Sequence, residues 1–284
     1  MSSHEPFTLA YSPCPNDTYI FAAWTNGLLE GAPPVSVALE DIEALNEAAR
    51  ERRYALTKAS YGAIPLLLNH YRIFRAGGAL GRGCGPLVVA LPGPDGTAPP
   101  LSSLRPHVRI AIPGALTTAY LLFRLAFGRP IEAAPMRFDR IVDAVTRGEA
   151  DAGLIIHESR FTYEKAGLVL VEDLGAWWER ETGLPIPLGA ILARRDLSID
   201  DEELLQSTIR ASLAFARANE AAVAPYVREH ATEMDEDVMR AHIALYVNEF
   251  TDDIGDEGIK AVHQLFELAG EARILPRGIR PQFV

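Results

Sequence analysis

Strand-like and helix-like patterns alternate through the first ninety residues, and this alternation constrains the fold more than any other feature. Phe7–Tyr11 reads as a strand and Asp17–Thr25 as a short helix. Val35–Leu39 is a strand, Ile42–Arg52 a helix, Tyr54–Lys58 a strand and Tyr61–Asn69 another helix. Such alternation predicts an α/β chain with a mostly parallel sheet and right-handed crossovers.

The middle of the chain repeats the theme. Val108–Ile112 is a short β-branched run, broken by Pro113 and Gly114. Thr117–Phe127 then has helical character and stops at Gly128. Asp139 is placed to cap a helix carrying Ile141, Val142 and Val145, with Gly148 as its stop. Ala152–Ile156 reads as a buried strand, and His157 sits at its C-terminal end. The strongest breaker, Pro92–Pro100, follows the apolar run Pro86–Leu91 and suits a crossing between domains. Leu188–Ala193 suits a return strand. Beyond it the chain turns helical. Asp200 and Glu203 have capping-box spacing. Leu205, Ile209, Leu213 and Ala216 share one helix face, as do Val238, Ala241, His242, Leu245 and Tyr246, and Ile259, Val262, Phe266 and Ala269.

This layout predicts a larger discontinuous lobe, residues 1–91 with 192–284, and a smaller inserted lobe, residues 92–191. It is the arrangement of a two-lobed, type II periplasmic-binding-protein-like fold. Ligands there bind in the cleft between lobes, at strand C-termini and helix N-termini.

Composition narrows the partners. The net charge is −11 and no Lys/Arg-rich run is present, which argues against nucleic acid. An anionic small molecule would be repelled at long range, so local donors in a cleft must capture it. No apolar stretch approaches the ~18 residues of a membrane span. The start, MSSHEPFTLAYSPCP, begins with Met and lacks the basic and apolar regions of a secretory signal. The two cysteines, Cys14 and Cys84, show neither C-x-x-C nor zinc spacing. A cytoplasmic location and no metal are the expectations; oligomeric state is not legible.

Several segments carry chemistry. Tyr11–Thr18 (YSPCPNDT) joins a strand to a helix through two prolines. It offers either a rigid elbow with free N–H groups or an ordinary turn capped by Asn16 or Asp17. Cys14 has no basic neighbour in sequence to activate it. Lys58, Ala59 and Ser60 end a strand; Lys58 could offset a ligand carboxylate, or Ser60 could merely cap a helix. Arg75–Pro86 (RAGGALGRGCGP) is glycine-dense without the lysine of a phosphate loop, and reads as a mobile segment near the crossing. Thr117 and Thr118 gather hydroxyls at a helix N-terminus, a good anion site, although capping by Thr117 alone explains them as well. Among the histidines, His4, His107 and His230 look peripheral, and His70, His242 and His263 lie in or beside helices. His157 differs, because it ends a strand on the ligand side of an α/β sheet, where a neutral imidazole can act as general base. Trp177 and Trp178 suit a core or a stacking surface.

Taken in order, SPCPNDT, KAS, GGALGRGCGPLVV, PGALTTAY, AGLIIHESRFTY and LGAWWERETGLPIPLGAILARRDL resemble the signatures of the 1,4-dihydroxy-6-naphthoate synthase family of the futalosine route to menaquinone. The resemblance runs from about residue 7 to the C-terminus. It implies a carbon–carbon lyase that converts cyclic dehypoxanthinyl futalosine to 1,4-dihydroxy-6-naphthoate and dihydroxyacetone, without metal or organic cofactor. It implies His157 as general base. Lys58, Ala59, Ser60, Thr117 and Thr118 would contact substrate, with Asn16 and Asp17 in the cleft. Ala115 and Leu116 depart from the polar turn expected in some relatives. A transporter's solute-binding protein and chorismate dehydratase share the fold; SPCPNDT and the histidine of HESR favour the synthase.

Overall fold

The structure, a computed structural model, describes residues 5–100, 108–129, 131–231 and 235–284. His4 and His107 lie outside the described residues. Among the described residues, eleven strands form two sheets. The first holds β1 (Phe7–Tyr11), β2 (Val35–Leu39), β3 (Leu56–Ser60), β4 (Tyr71–Ile73), β5 (Ala79–Gly81) and β11 (Ile186–Arg194). Its order is β2-β1-β3-β11-β4, with β5 also on β11. The second contains β6 (Leu87–Ala90), β7 (Arg109–Ile112), β8 (Glu132–Pro135), β9 (Ala152–Ile155) and β10 (Val169–Asp173), in the order β10-β6-β9-β7-β8. The chain passes between sheets after β5 and again after β10.

Strands joined by crossovers within a sheet run parallel: β1 with β2 and β3, and β7 with β8 and β9. The strands that carry the chain between sheets do not. β11 is antiparallel to β3, β4 and β5, and β6 to β9 and β10. A strand entering from the other sheet does not belong to a β–α–β unit of the sheet it joins, so nothing requires it to run parallel, and the expectation of a mostly parallel sheet holds only inside each half.

Ten α-helices cover the sheets: α1 (Pro15–Thr25), α2 (Ile42–Arg50), α3 (Thr118–Phe127), α4 (Ile141–Thr146), α5 (Leu174–Thr182), α6 (Ile199–Ala218), α7 (Glu220–His230), α8 (Glu236–Tyr246), α9 (Glu249–Asp252) and α10 (Gly255–Glu271), counted among the described residues. In α1 every residue from Pro15 to Trp24 is buried, because α6, α7 and α8 pack around it. Ser212 of α6 bolts it in place: its Oγ donates to Ile20 O at 2.6 Å and accepts from Trp24 N at 3.2 Å. Among the described residues, no helix is long and apolar enough to cross a membrane.

Local expectations fail where tertiary contact overrides periodicity. The stretch 61–69 is a turn with a short 3₁₀ segment at Ile64–Leu66 in place of a helix. Gly62 there lies so close to α3 that a Cβ would meet Leu116 O and Thr117 O at 2.7 Å. Pro65 adds a missing N–H. The cap of α6 is Ser198, whose hydroxyl accepts from Asp201 N, not Asp200. Asp139 lies in a 3₁₀ turn before α4 and caps nothing there. Cys14, through its backbone, occupies the cap position of α1, so Asn16 and Asp17 lie in its first turn. The glycine-dense run forms β5 and then packs backbone to backbone, since a Cβ on Gly85 would stand 2.1 Å from Gly175 N. That density serves close approach, where a mobile segment was expected.

Candidate active site

The ends of β1, β3 and β9 and the N-termini of α1 and α3 converge on one cleft. Asn16, Asp17, Lys58, Ser60, Thr117, Thr118 and His157 all line it. Ala59 does not; it packs into the core beneath.

The floor is a buried polar chain. Lys58 Nζ lies 2.5 Å from Asp17 Oδ1, with both side chains almost wholly excluded from solvent. Asp17 Oδ1 also accepts from Asn16 Nδ2 at 2.8 Å, and its Oδ2 accepts from Ser12 Oγ at 2.8 Å. The Lys58 charge is therefore committed first to Asp17. Ser60 is held by Asn46 of α2, whose Oδ1 accepts from Ser60 N and whose Nδ2 donates to Ser60 Oγ.

The paired threonines divide their work. Thr117 caps α3: its Oγ1 accepts from Tyr120 N and donates to Gly114 O. Thr118 Oγ1 accepts from Gly62 N and donates to Leu188 O. It thus ties α3 to the turn after β3 and to β11 itself. The turn at Ala115 and Leu116 contributes backbone in place of a side chain, with Leu116 N donating to Glu43 Oε1 at 3.0 Å. Gly114 makes room for that carboxylate, since a Cβ there would meet Glu43 Cδ at 2.2 Å.

His157 follows β9 with φ of 57°, a left-handed conformation that side chains seldom adopt. The residue is half-buried, lines the cleft and packs its ring edge-on to Phe138, centroids 4.9 Å apart. Burial pushes its pKa down to about 4; Asp17 opposes the shift and Lys58 adds to it. The imidazole is neutral across the physiological range, as a general base must be. Behind it, Cys14 Sγ, a His157 ring nitrogen and a Glu158 carboxylate oxygen lie within 4.8 Å of one another. Burial, reinforced by Glu158, raises the Cys14 pKa well above its ordinary value. That opposes both a nucleophilic and a metal-binding thiolate.

A family model described as menaquinone biosynthesis matches residues 7–271. The chain belongs to this menaquinone-biosynthesis family. It is 48% identical to a 1,4-dihydroxy-6-naphthoate synthase of Thermus thermophilus, covering 99% of this chain and 100% of the relative. A Streptomyces coelicolor protein of the same name is 43% identical, with 96% of each covered. A solved Archaeoglobus fulgidus structure superposes with a TM-score of 0.89 at 36% identity, covering 97% of this chain and 100% of that one. The periplasmic aliphatic sulphonate binding protein SsuA of Escherichia coli superposes at 0.66 with 14% identity, covering 99% and 94%. This last likeness concerns fold alone, and it bears out the periplasmic-binding-protein-like architecture.

Within this family member, other singled-out residues serve the frame. Arg160 donates to Gly85 O and to Asp173 Oδ2 at 2.8 Å. Trp178 is fully buried, with its indole N–H on Pro185 O. Trp177 packs against the core from a partly buried position. Sequence periodicity missed His242. It lines the same cleft, fully buried on α8 between Met239 and Tyr246. Its ring lies 6.2 Å from that of His157, near-parallel at 26°.

The histidine environment sets a pH dependence. Because the folded pKa of His157 is about 4 against 6.5 unfolded, the unfolded chain binds more protons between those values. Stability is full above pH 6.5 and falls as pH drops toward 4, by up to about 3 kcal/mol from this group. His157→Asn should flatten the slope of unfolding free energy against pH by one proton in that window, as read by denaturant titration. An unchanged slope would place the His157 pKa near its free value.

Proposed function

We propose that this chain is a 1,4-dihydroxy-6-naphthoate synthase acting as a carbon–carbon lyase in menaquinone biosynthesis. Its proposed substrate is cyclic dehypoxanthinyl futalosine, an anion, and its products are 1,4-dihydroxy-6-naphthoate and dihydroxyacetone. The observation that carries this reading is the end-to-end likeness to two proteins of that name. The geometry supplies a fitting base, a neutral imidazole at the end of β9 that opens on the cleft.

In this reading His157 takes a proton from a ring carbon of the substrate. That turns a ring carbonyl into its enol. A hydroxyl of the three-carbon arm then gives up its proton, and its O–H pair becomes the fragment's C=O. The ring–fragment C–C bond breaks with its pair entering the ring to complete the aromatic system. The imidazolium returns its proton, so the cleavage is redox-neutral. A positioned base contributes typically ~10²–10⁴-fold. Orientation and donors at developing oxyanions supply the rest. Ser60 Oγ, which accepts from Asn46 and keeps its own proton to give, and the backbone N–H groups at the N-termini of α1 and α3 are the proposed donors. Thr117 and Thr118, whose hydroxyl protons go to Gly114 O and Leu188 O, contact the substrate without donating, with Asn16, Asp17 and Lys58 below them. Ala59 acts through its backbone alone. We keep the lobes as residues 1–91 with 192–284 and the inserted 92–191, with both crossings moved a few residues earlier, to the sheet changes before β6 and before β11. We place the protein in the cytoplasm, where its two buried cysteines stay reduced.

The test is direct. Purified protein incubated with cyclic dehypoxanthinyl futalosine should release the naphthoate, followed by absorbance or mass spectrometry. Binding of an amino acid or oligopeptide with no turnover of the futalosine derivative would replace the enzyme reading with a transport one.

A further inference from the structure

The orientation of one buried amide fixes a second imidazole. Asp17 Oδ1 only accepts, so the Asn16 amide must turn its Nδ2 toward it, as the 2.8 Å contact shows. Asn16 Oδ1 then faces His242 Nε2 at 2.9 Å and accepts a hydrogen bond from its N–H. With the hydrogen on Nε2, Nδ1 carries a bare lone pair. That atom is buried and has no hydrogen-bond partner among the described residues. A buried acceptor left without a donor costs free energy, so such an atom calls for an occupant. His242 lines the cleft, which is where an occupant would come from.

We propose that Nδ1 of His242 accepts a hydrogen bond from a hydroxyl on the bicyclic ring of the bound substrate or product. The assignment rests on the synthase reading. A ring hydroxyl fits better than one on the departing fragment because the surroundings are flat and aromatic. Tyr246 lies 4.6 Å and Phe161 6.4 Å from the His242 ring, centroid to centroid. His157 stands alongside at 6.2 Å. One planar ligand can thus present a C–H to His157 and an O–H to His242. The chain Lys58–Asp17–Asn16–His242 gives the polar floor a purpose: it sets the tautomer that leaves Nδ1 open.

The test compares two ligands that differ only in hydroxyls, 1,4-dihydroxy-6-naphthoate and 2-naphthoate, on wild-type protein and His242→Gln. Glutamine keeps an N–H near Asn16 and leaves no acceptor at the Nδ1 position, because its one carbonyl oxygen sits on the outermost carbon of the side chain. The dihydroxy compound should bind about tenfold or more weakly to the variant, while 2-naphthoate changes less than about twofold. Equal weakening of both, or of neither, overturns the proposal and leaves Nδ1 to water or to packing. If the variant fails to fold by circular dichroism, ¹⁵N-histidine NMR of the wild type decides. An unprotonated imidazole nitrogen should shift on adding the dihydroxy compound and not on adding 2-naphthoate; no selective shift overturns the proposal. Failure of the synthase reading shows separately, as wild-type protein that does not turn over cyclic dehypoxanthinyl futalosine.

Discussion

Replacing His157 with asparagine should lower kcat by about 10²–10⁴-fold while leaving ligand affinity within a few-fold. Asparagine is the better probe than alanine here. It tolerates the left-handed backbone that this position imposes, so the fold is not challenged along with the chemistry. It also carries no group that can take a proton near neutral pH. Steady-state kinetics with cyclic dehypoxanthinyl futalosine, paired with calorimetric binding of the naphthoate, separates the two effects. Full turnover in the asparagine variant would remove His157 from the chemistry. The acid limb of kcat/KM in the wild type provides a companion reading. It should fall near pH 4, where burial places the His157 pKa, and not near 6.5.

Replacing Lys58 with methionine should cost about 3–5 kcal/mol of stability, because it leaves the Asp17 carboxylate buried without its cation. Ser12 and Asn16 still donate to that carboxylate, but as neutral groups. Removing both charges together, in Lys58→Met with Asp17→Asn, should recover more than half of the loss. Chemical denaturation of the two single variants and the double variant measures this directly. Single and double variants of equal stability would mean the ion pair is not formed as described. Loss of Lys58 also takes away a group that depresses the His157 pKa, so the acid limb should move upward.

The two histidines show how far sequence reaches. His157 is legible because position alone marks it: it ends a buried strand, on the ligand side of an α/β sheet, inside a long specific string. His242 is not, because its spacing on α8 is that of any core residue. Its role depends on meeting Asn16, a contact spanning 226 residues of chain, which no local pattern encodes. The same limit explains the turn at 61–69. Its apolar run reads as a helix until α3, more than fifty residues later, approaches too closely for one to form. Strands such as β1, β2, β7 and β9 are legible, since short β-branched or apolar runs flanked by breakers mark them, whereas β4, β5, β8 and β10 carry no such local mark and are not. The direction of β6 and β11 was hidden, because it depends on where the chain has come from.

The backbone at residue 157 bears on how this position evolves. Glycine would relieve the dihedral penalty there, and selection for folding alone would favour it. An imidazole can persist at such a place only against that pull. Abundance and turnover should therefore rank the twenty amino acids at this codon in opposing orders, making the site a natural gauge of the tension between a comfortable chain and a working one.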